Sequence, residues 1–450
     1  MKPQLFGLFD ILFGAGWLVV ILIVFWWYSV KNKHQPHFKF FYPHLLFKIG
    51  LGLFFGITYA IILPYGGDTL AYWDGAVTLN HLFWDNPSAY FAELLQTPSR
   101  ETMTTHFNLQ TGYPPSWIYV EPESFFVCKI ASLFTFISFN SYVALTLIFS
   151  TFATISSWKL FELLRTFKFC SQTVIALATL FIPTVAFWCS GISKDTLVLS
   201  LVYLYVYYFF SMLTGKKKIR FWNVIKILFT LLLLYHLRSF MVVAVGIPTI
   251  IALLVKSMYK FNNNPALMFT VRGLFVIFSI LTIMFYFRTE IDSNSVKSNE
   301  YLEEVMIIQK DFAGNKLYTG PRYDLGIDEY TFTGFIKATP ISIITAFYRP
   351  FIWEANSGFL FLSGIEGTLL IVLTLGFFFK AGNLSKHFRY IQSQEFLMFA
   401  LVFAIILGIF VGFTSGLYNV LVRFKAPLMM FLILFFAARK PALKEEKIDA

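Results

Sequence analysis

Five short stretches of the chain place ionisable side chains beside long apolar runs, where each charge costs at least ~2.5–3.5 kcal/mol on entering a hydrocarbon core. Such residues are candidates for function by default. The stretch Trp188-Cys189-Ser190-Gly191-Ile192-Ser193-Lys194-Asp195 lies between apolar runs at 172–188 and 196–213 and reads as the tip of a membrane hairpin. Ser193 and Asp195 are accounted for by a helix start, the serine as cap and the aspartate at the positive end of the dipole. Lys194 is not, because a cation at a helix N-terminus is disfavoured unless an anion lies nearby. It is therefore an anion-binding candidate. In Tyr235-His236-Leu237-Arg238-Ser239 two apolar runs meet, each too short to span ~30 Å at 1.5 Å per residue. Arg238 is thus expected below the surface, where its guanidinium fork suits a phosphate or an ion pair with an intramembrane carboxylate such as Glu366. His236 alone reads as a packing or interface histidine.

The other three stretches add carboxylates and further cations. In Gly66-Gly67-Asp68-Thr69-Leu70-Ala71-Tyr72-Trp73-Asp74, Asp68 and Asp74 are candidate general bases or metal ligands, against the plainer reading of a turn bonded to its own backbone. Tyr348-Arg349-Pro350-Phe351-Ile352-Trp353-Glu354-Ala355 supplies Arg349 and Glu354, with Glu366 about three turns further along an apolar run; an interface belt is the alternative. Tyr418-Asn419-Val420-Leu421-Val422-Arg423-Phe424-Lys425-Ala426-Pro427 opens the last apolar run with two cations. Together, Lys194, Arg238, Arg349, Arg423 and Lys425 are expected to hold a phosphate or lipid carrier. Asp68, Asp74 and Glu354 are the catalytic carboxylates, with Asp195, His236 and Glu366 in support. Cations that hold a leaving pyrophosphate beside a carboxylate that takes a proton fit glycosyl transfer from a polyprenyl carrier. No cofactor is specified; a divalent cation is compatible with the carboxylates, but the sequence names no metal ligands.

The elements that must position these residues follow from composition. With 57% hydrophobic and 14% charged residues, and many apolar runs of membrane-spanning length, the chain reads as an all-α polytopic membrane protein. Eleven spans are expected, near 8–29, 46–64, 140–159, 172–189, 195–213, 221–237, 239–256, 268–287, 359–380, 393–413 and 424–438. The first lacks a cleavage site and is kept as a helix. Lys31, Lys33, Lys39 and Lys48 mark the first inward loop, and the inward loops together carry 22 of the 36 Lys and Arg. This places the N-terminus outside and the C-terminus in the cytoplasm of a bacterial inner membrane. Residues 1–440 form one membrane domain and 441–450 a charged tail.

Of the 25 acidic residues, 19 fall on the outer side, mainly in two large loops at about 65–139 and 288–358. Those loops read as folded lids, each with an interfacial helix, at 124–138 and 334–348. The net charge of +11 is explained by cytoplasmic anchoring rather than by nucleic acid. Cys128, Cys170 and Cys189 have no metal or disulfide spacing, and no nucleotide-binding glycine loop or zinc motif occurs.

Gly66-Gly67-Asp68, Glu121-Pro122-Glu123-Ser124-Phe125, Trp188 to Asp195, Leu237-Arg238-Ser239, Arg349-Pro350-Phe351-Ile352-Trp353-Glu354 and Leu421-Val422-Arg423-Phe424-Lys425-Ala426-Pro427 are scattered over almost the whole chain. In these pieces the sequence resembles bacterial oligosaccharide polymerases and GT-C-like membrane glycosyltransferases of the EpsG and Wzy type. The resemblance implies a GT-C-like helical fold, outward lids and polyprenyl-linked glycan substrates. It departs from the family in two ways: the large outer loops are not arginine-rich, and the candidate Asp68 follows the second helix rather than the first. Two readings from other classes stand beside it. Cys189-Ser190-Gly191 with Arg238 resembles an exosortase-like cysteine transpeptidase, though the needed downstream histidine is missing. A non-catalytic transporter or scaffold of a cell-envelope complex is the third.

Overall fold

The computed structural model describes residues 5–63, 67–215, 221–260, 306–307, 309–312, 314, 320–327, 332–380 and 390–439. The span expected at 268–287, Gly66, most of the loop from 288 to 331 and the tail 441–450 lie outside the described residues. The described chain is helical, and seven of its helices are long and apolar enough to cross a membrane, or eight if one bent pair is a single span. The chain divides into two compact units, Met1–Leu163 with Thr179–Val242, and Leu164–Ala178 with Val243–Ala450.

The first unit begins with α1 (Leu8–Lys31), apolar on every side. Its exposed Leu8, Phe9, Ile11, Val19, Trp26 and Trp27 form the kind of surface that suits lipid rather than water. Asp10 is the exception: its buried carboxylate accepts from the Val143 N–H at 3.1 Å and from Ser141 Oγ. It thereby caps α8 (Tyr142–Leu164) at the positive end of that helix. Between them, α2 (Phe41–Ile57) runs into a π-helical turn, Thr58–Ile62, and packs closely on α8. A Cβ at Gly52 would stand 2.1 Å from Ser150 Oγ, so only glycine permits that approach.

Within the stretch 65–139, expected as a lid, the described residues from Gly67 onward are mostly helical. They fold as α3 (Gly67–Asp85), α4 (Pro87–Leu95), α5 (Arg100–His106), α6 (Ser116–Tyr119) and α7 (Pro122–Ser138). On α7 the buried positions Ser124, Val127, Cys128, Ala131, Ser132, Thr135 and Ser138 recur at helical spacing, and this stripe of mostly small residues packs along α3. The helix expected at 124–138 therefore exists, extended by two residues at its start.

Three expectations are corrected, the first at a break whose leading helix belongs mostly to the second unit. The span expected at 172–189 is broken: α9 (Gln172–Leu180) and α10 (Pro183–Trp188) are separate because Pro183 forces the preceding Ile182 into extended geometry. Trp188 to Asp195 is not an exposed tip, since all eight residues are buried. A Cβ on Gly191 would lie 2.1 Å from the Phe55 ring. Lys48 is not a loop anchor either; it sits in α2, 2% exposed, with Nζ 3.4 Å from the Cys189 carbonyl.

Unwound backbone at this depth is tolerated only where protein satisfies its polar groups. That condition is met: besides Lys48, Ser150 Oγ donates to the Ser190 carbonyl at 2.6 Å and Thr196 Oγ1 to the Gly191 carbonyl at 2.7 Å. The chain then continues as α11 (Lys194–Leu213) and α12 (Phe221–Leu237). At 17 residues α12 is shorter than the helices that qualify as spans.

In the second unit, α13 (Phe240–Lys260) is followed by α14 (Phe332–Tyr348), the helix expected at 334–348. It packs along α16 (Glu395–Ser415), where Ser342 Oγ donates to the Ile409 carbonyl at 3.1 Å. Between them in sequence lies α15 (Gly358–Lys380). The last apolar run is bent by 64° between α17 (Tyr418–Phe424) and α18 (Ala426–Ala437), so Lys425 stands at a bend rather than at the outer end of a helix.

Candidate functional site

Lys194, Asp195 and Arg238 belong to one charged cluster in the first unit, and Arg349, Glu354 and Lys425 to another in the second. In the first unit Ser193 caps α11, its Oγ accepting from the Thr196 N–H at 3.1 Å. The cap fixes the next two side chains at the start of that helix. Lys194 Nζ donates to Glu123 Oε2 at 2.8 Å and lies 3.7 Å from Glu121 Oε1. Asp195 Oδ1 accepts from Arg238 Nη2 at 2.7 Å. Arg238 occupies the break between Leu237 and Phe240, and the next N–H, of Ser239, donates to Glu123 Oε1 at 3.2 Å.

The result is a row of alternating charge, Glu121 and Glu123, Lys194, then Asp195 and Arg238. It runs from half-exposed to buried. The side chains of Glu121 and Glu123 are 54% and 38% exposed, those of Lys194, Arg238 and Asp195 9%, 6% and 2%. Burying a cation and an anion together is tolerated only when geometry and hydrogen bonds are good, which the 2.7 Å contact provides.

Two expectations change here. The anion that Lys194 requires is supplied by the chain itself, in Glu123 and Glu121. The ion-pair partner of Arg238 is Asp195 rather than Glu366. Glu121 and Glu123, quoted in the sequence only as part of a motif, are members of the cluster.

Other expected residues take different places. Asp68 and Asp74 are half-buried on α3, Asp68 in its first turn next to Gly67, whose φ of +50° suits glycine. Asp74 lies near Cys128; burial pushes that thiol up, and the Asp74 carboxylate adds to the effect. His236 is exposed, its ring 5.0 Å from that of Phe126.

The second unit's cluster is built around a carboxylate. Glu354 accepts from both Nε and Nη2 of Arg349, from the Phe351 N–H at 2.8 Å and from Tyr418 Oη at 2.7 Å. Burial pushes the Glu354 carboxyl up, but the hydrogen bonds from Arg349, Phe351 and Tyr418 outweigh it and hold the group below its ordinary value. The guanidinium of Arg349 lies over the rings of Tyr418 and Tyr323, at 5.2 and 5.7 Å. Lys425 Nζ donates to the Arg349 carbonyl at 2.8 Å and interacts electrostatically with Glu366, which is half-buried on α15. Arg423 is half-buried on α17. With four donors already directed at it, Glu354 acts as an anchor for this turn rather than as a base poised for a substrate.

Sequence reasoning passed over the buried carboxylates Asp10 and Glu93, and read Lys48 only as a loop residue. None sits in a recognisable motif, and each has at least one polar contact well removed in the chain: Asp10 with Ser141, Lys48 with Cys189 and Glu93 with Tyr119. Among the described residues no three His, Cys, Asp or Glu side chains converge as metal ligands do. No family model, no characterised protein and no solved structure matches this chain, and its functional reading rests on the geometry above.

Proposed function

We propose that the protein is a multi-pass membrane glycosyltransferase of the polymerase type. It moves sugar or oligosaccharide units from a polyprenyl-(pyro)phosphate carrier to an acceptor hydroxyl, on the outer face of a bacterial inner membrane. The observation that carries this reading is the row Glu121/Glu123–Lys194–Asp195–Arg238. It sets two cations in a row that runs from half-exposed to buried in a helical unit, with exposed carboxylates as exchangeable partners. A lipid-linked donor keeps its polyprenyl chain in the bilayer and its pyrophosphate at the headgroup level. There Lys194 can trade Glu123 for a phosphate oxygen, while the Asp195 pair keeps Arg238 oriented. Stabilising the charge that develops on the departing pyrophosphate is the main catalytic task in such a transfer. Asp68 and Asp74, singled out in the sequence, stand on α3 of the same unit.

Replacing Lys194 by Ala or Glu123 by Gln, in a host whose surface polysaccharide depends on this protein, tests the reading. Lys194→Ala is expected to abolish polymer at normal protein level, and Glu123→Gln to reduce it. Normal polymer with both variants well expressed removes the enzyme reading in favour of a scaffold or transporter of the cell envelope. The transpeptidase reading is disfavoured by geometry. Cys189, its required nucleophile, is fully buried, and its backbone carbonyl faces Lys48.

A further inference from the structure

The first unit holds a second polar cluster that the charged row does not use. Glu93, on α4, is fully buried, and its carboxylate accepts from Tyr119 Oη at 3.0 and 3.2 Å and from Gln96 Nε2 at 3.0 Å. His106 Nδ1 lies 2.7 Å from Glu93 Oε1. The cluster is braced from outside: Thr102 Oγ1 is 2.6 Å from Tyr119 Oη, and Lys129 Nζ donates to the Gln96 carbonyl at 2.6 Å. The Gln96 Nε2 amide also lies 3.3 Å from His106 Nδ1, but the Glu93 contact is the shorter and a carboxylate only accepts, so the imidazole nitrogen facing it carries the proton. In the neutral ring the lone pair then belongs to Nε2. That atom has no partner among the described residues and is not buried, while the His106 side chain as a whole is 23% exposed. A fully buried carboxylate thus orients a solvent-reaching imidazole with its basic nitrogen outward, which is the arrangement of a general base.

The cluster is tied to the charged row by one short segment. Tyr119 bonds Glu93, and Glu121 and Glu123, two and four residues later, pair with Lys194. Four residues of backbone reach at most ~14 Å, so the Cα atoms of Tyr119 and Glu123, which anchor the two clusters, are no farther apart than that.

We infer that Glu93 and His106 form the acceptor-activating dyad of the transfer proposed above, an inference that rests on that reading. His106 Nε2 takes the proton of the acceptor hydroxyl as its oxygen lone pair forms the new bond to the donor's anomeric carbon. The bond from that carbon to the carrier's phosphate oxygen breaks, and its electron pair leaves with the pyrophosphate. Glu93 offsets the charge of the imidazolium; it positions His106 and is not itself a catalytic residue.

The test uses full-length protein in membranes, supplied with lipid-linked oligosaccharide extracted from the host. His106→Asn keeps an N–H for Glu93 but offers no basic nitrogen. It should therefore fold and bind donor with unchanged KM while the turnover rate falls by about 10²–10⁴-fold. His106→Gly should lose the same activity and regain part of it with added imidazole. Unchanged turnover in His106→Asn, beside loss of transfer in Lys194→Ala, overturns the dyad and leaves the transferase reading standing. Loss in His106→Gly without imidazole rescue, accompanied by full turnover in His106→Asn, assigns His106 a structural role. Full turnover in Lys194→Ala and His106→Asn alike removes both.

Discussion

The two charged clusters differ in how they are held. In the second unit Arg349 and Glu354 are five residues apart, on one turn between α14 and α15, and the aromatic rings of Tyr323 and Tyr418 flank the guanidinium. The first unit's row is assembled from distant parts of the chain: Arg238 meets Asp195 across 43 residues, Lys194 meets Glu123 across 71, and Ser239 meets Glu123 across 116. The Arg349–Glu354 pair at its centre can form with its turn, and Tyr418 and Lys425 join it across 64 and 76 residues. The long-range row exists only when α7, α11 and the end of α12 are all in place, so it reports on the finished fold. It also carries charge from half-exposed Glu121 to buried Arg238, whereas the second cluster closes on one saturated carboxylate. The difference separates a cluster suited to exchanging partners from one suited to fixing a turn.

Breaking the buried pair should have the largest effect. Asp195→Ala leaves Arg238 buried without its carboxylate and is expected to cost about 3–5 kcal/mol of stability. A lowered thermal midpoint in detergent, together with lost polymer, checks it. A sharper test separates stability from function. The double variant Asp195→Leu with Arg238→Met replaces the pair by apolar side chains and should recover much of that stability, yet make no polymer. Recovery of both would reduce the pair to scaffolding.

The second cluster should respond more modestly, and through pH. Because the folded-state value of Glu354 lies below its ordinary 4.5, its stabilising contribution is complete above that value and is lost as pH falls through the folded one. Glu354→Gln should cost about 1–2 kcal/mol at neutral pH, given partial exposure and one hydrogen-bonded ion pair. It should also flatten the acid side of the stability curve, measured as the thermal midpoint between neutral and acid pH. A loss from Glu354→Gln equal to that from Asp195→Ala would erase the distinction between the two clusters.

The helical, apolar architecture was legible because apolar runs long enough to span a membrane leave few alternatives. Individual charges such as Lys194, Asp195, Arg238, Arg349 and Glu354 were legible because they are out of place beside those runs. Their pairings were not. Lys194 and Glu123 share no periodicity or motif, and only packing of α7 near the start of α11 joins them. Glu93 and His106 were invisible for the opposite reason: in a polar stretch without long apolar runs, a carboxylate and a histidine look ordinary. Pro183 did announce the break in the run at 172–189. The apolar residues on either side masked it, because a hydropathy window averages over a single proline.

The buried unwound stretch from Cys189 to Ser193 also bears on how the chain is made. Of the residues that satisfy or enclose it, Lys48, Phe55 and Ser150 precede it in the sequence, Ser150 lying 40 residues before its partner Ser190, and Thr196 follows it. At roughly 5–20 residues per second of synthesis, Ser150 leaves the ribosome several seconds before its carbonyl partner on Ser190. Biosynthesis therefore delivers most of the receptacle before the segment that it must receive, and the Cys189 and Ser190 carbonyls need not wait in lipid for their donors.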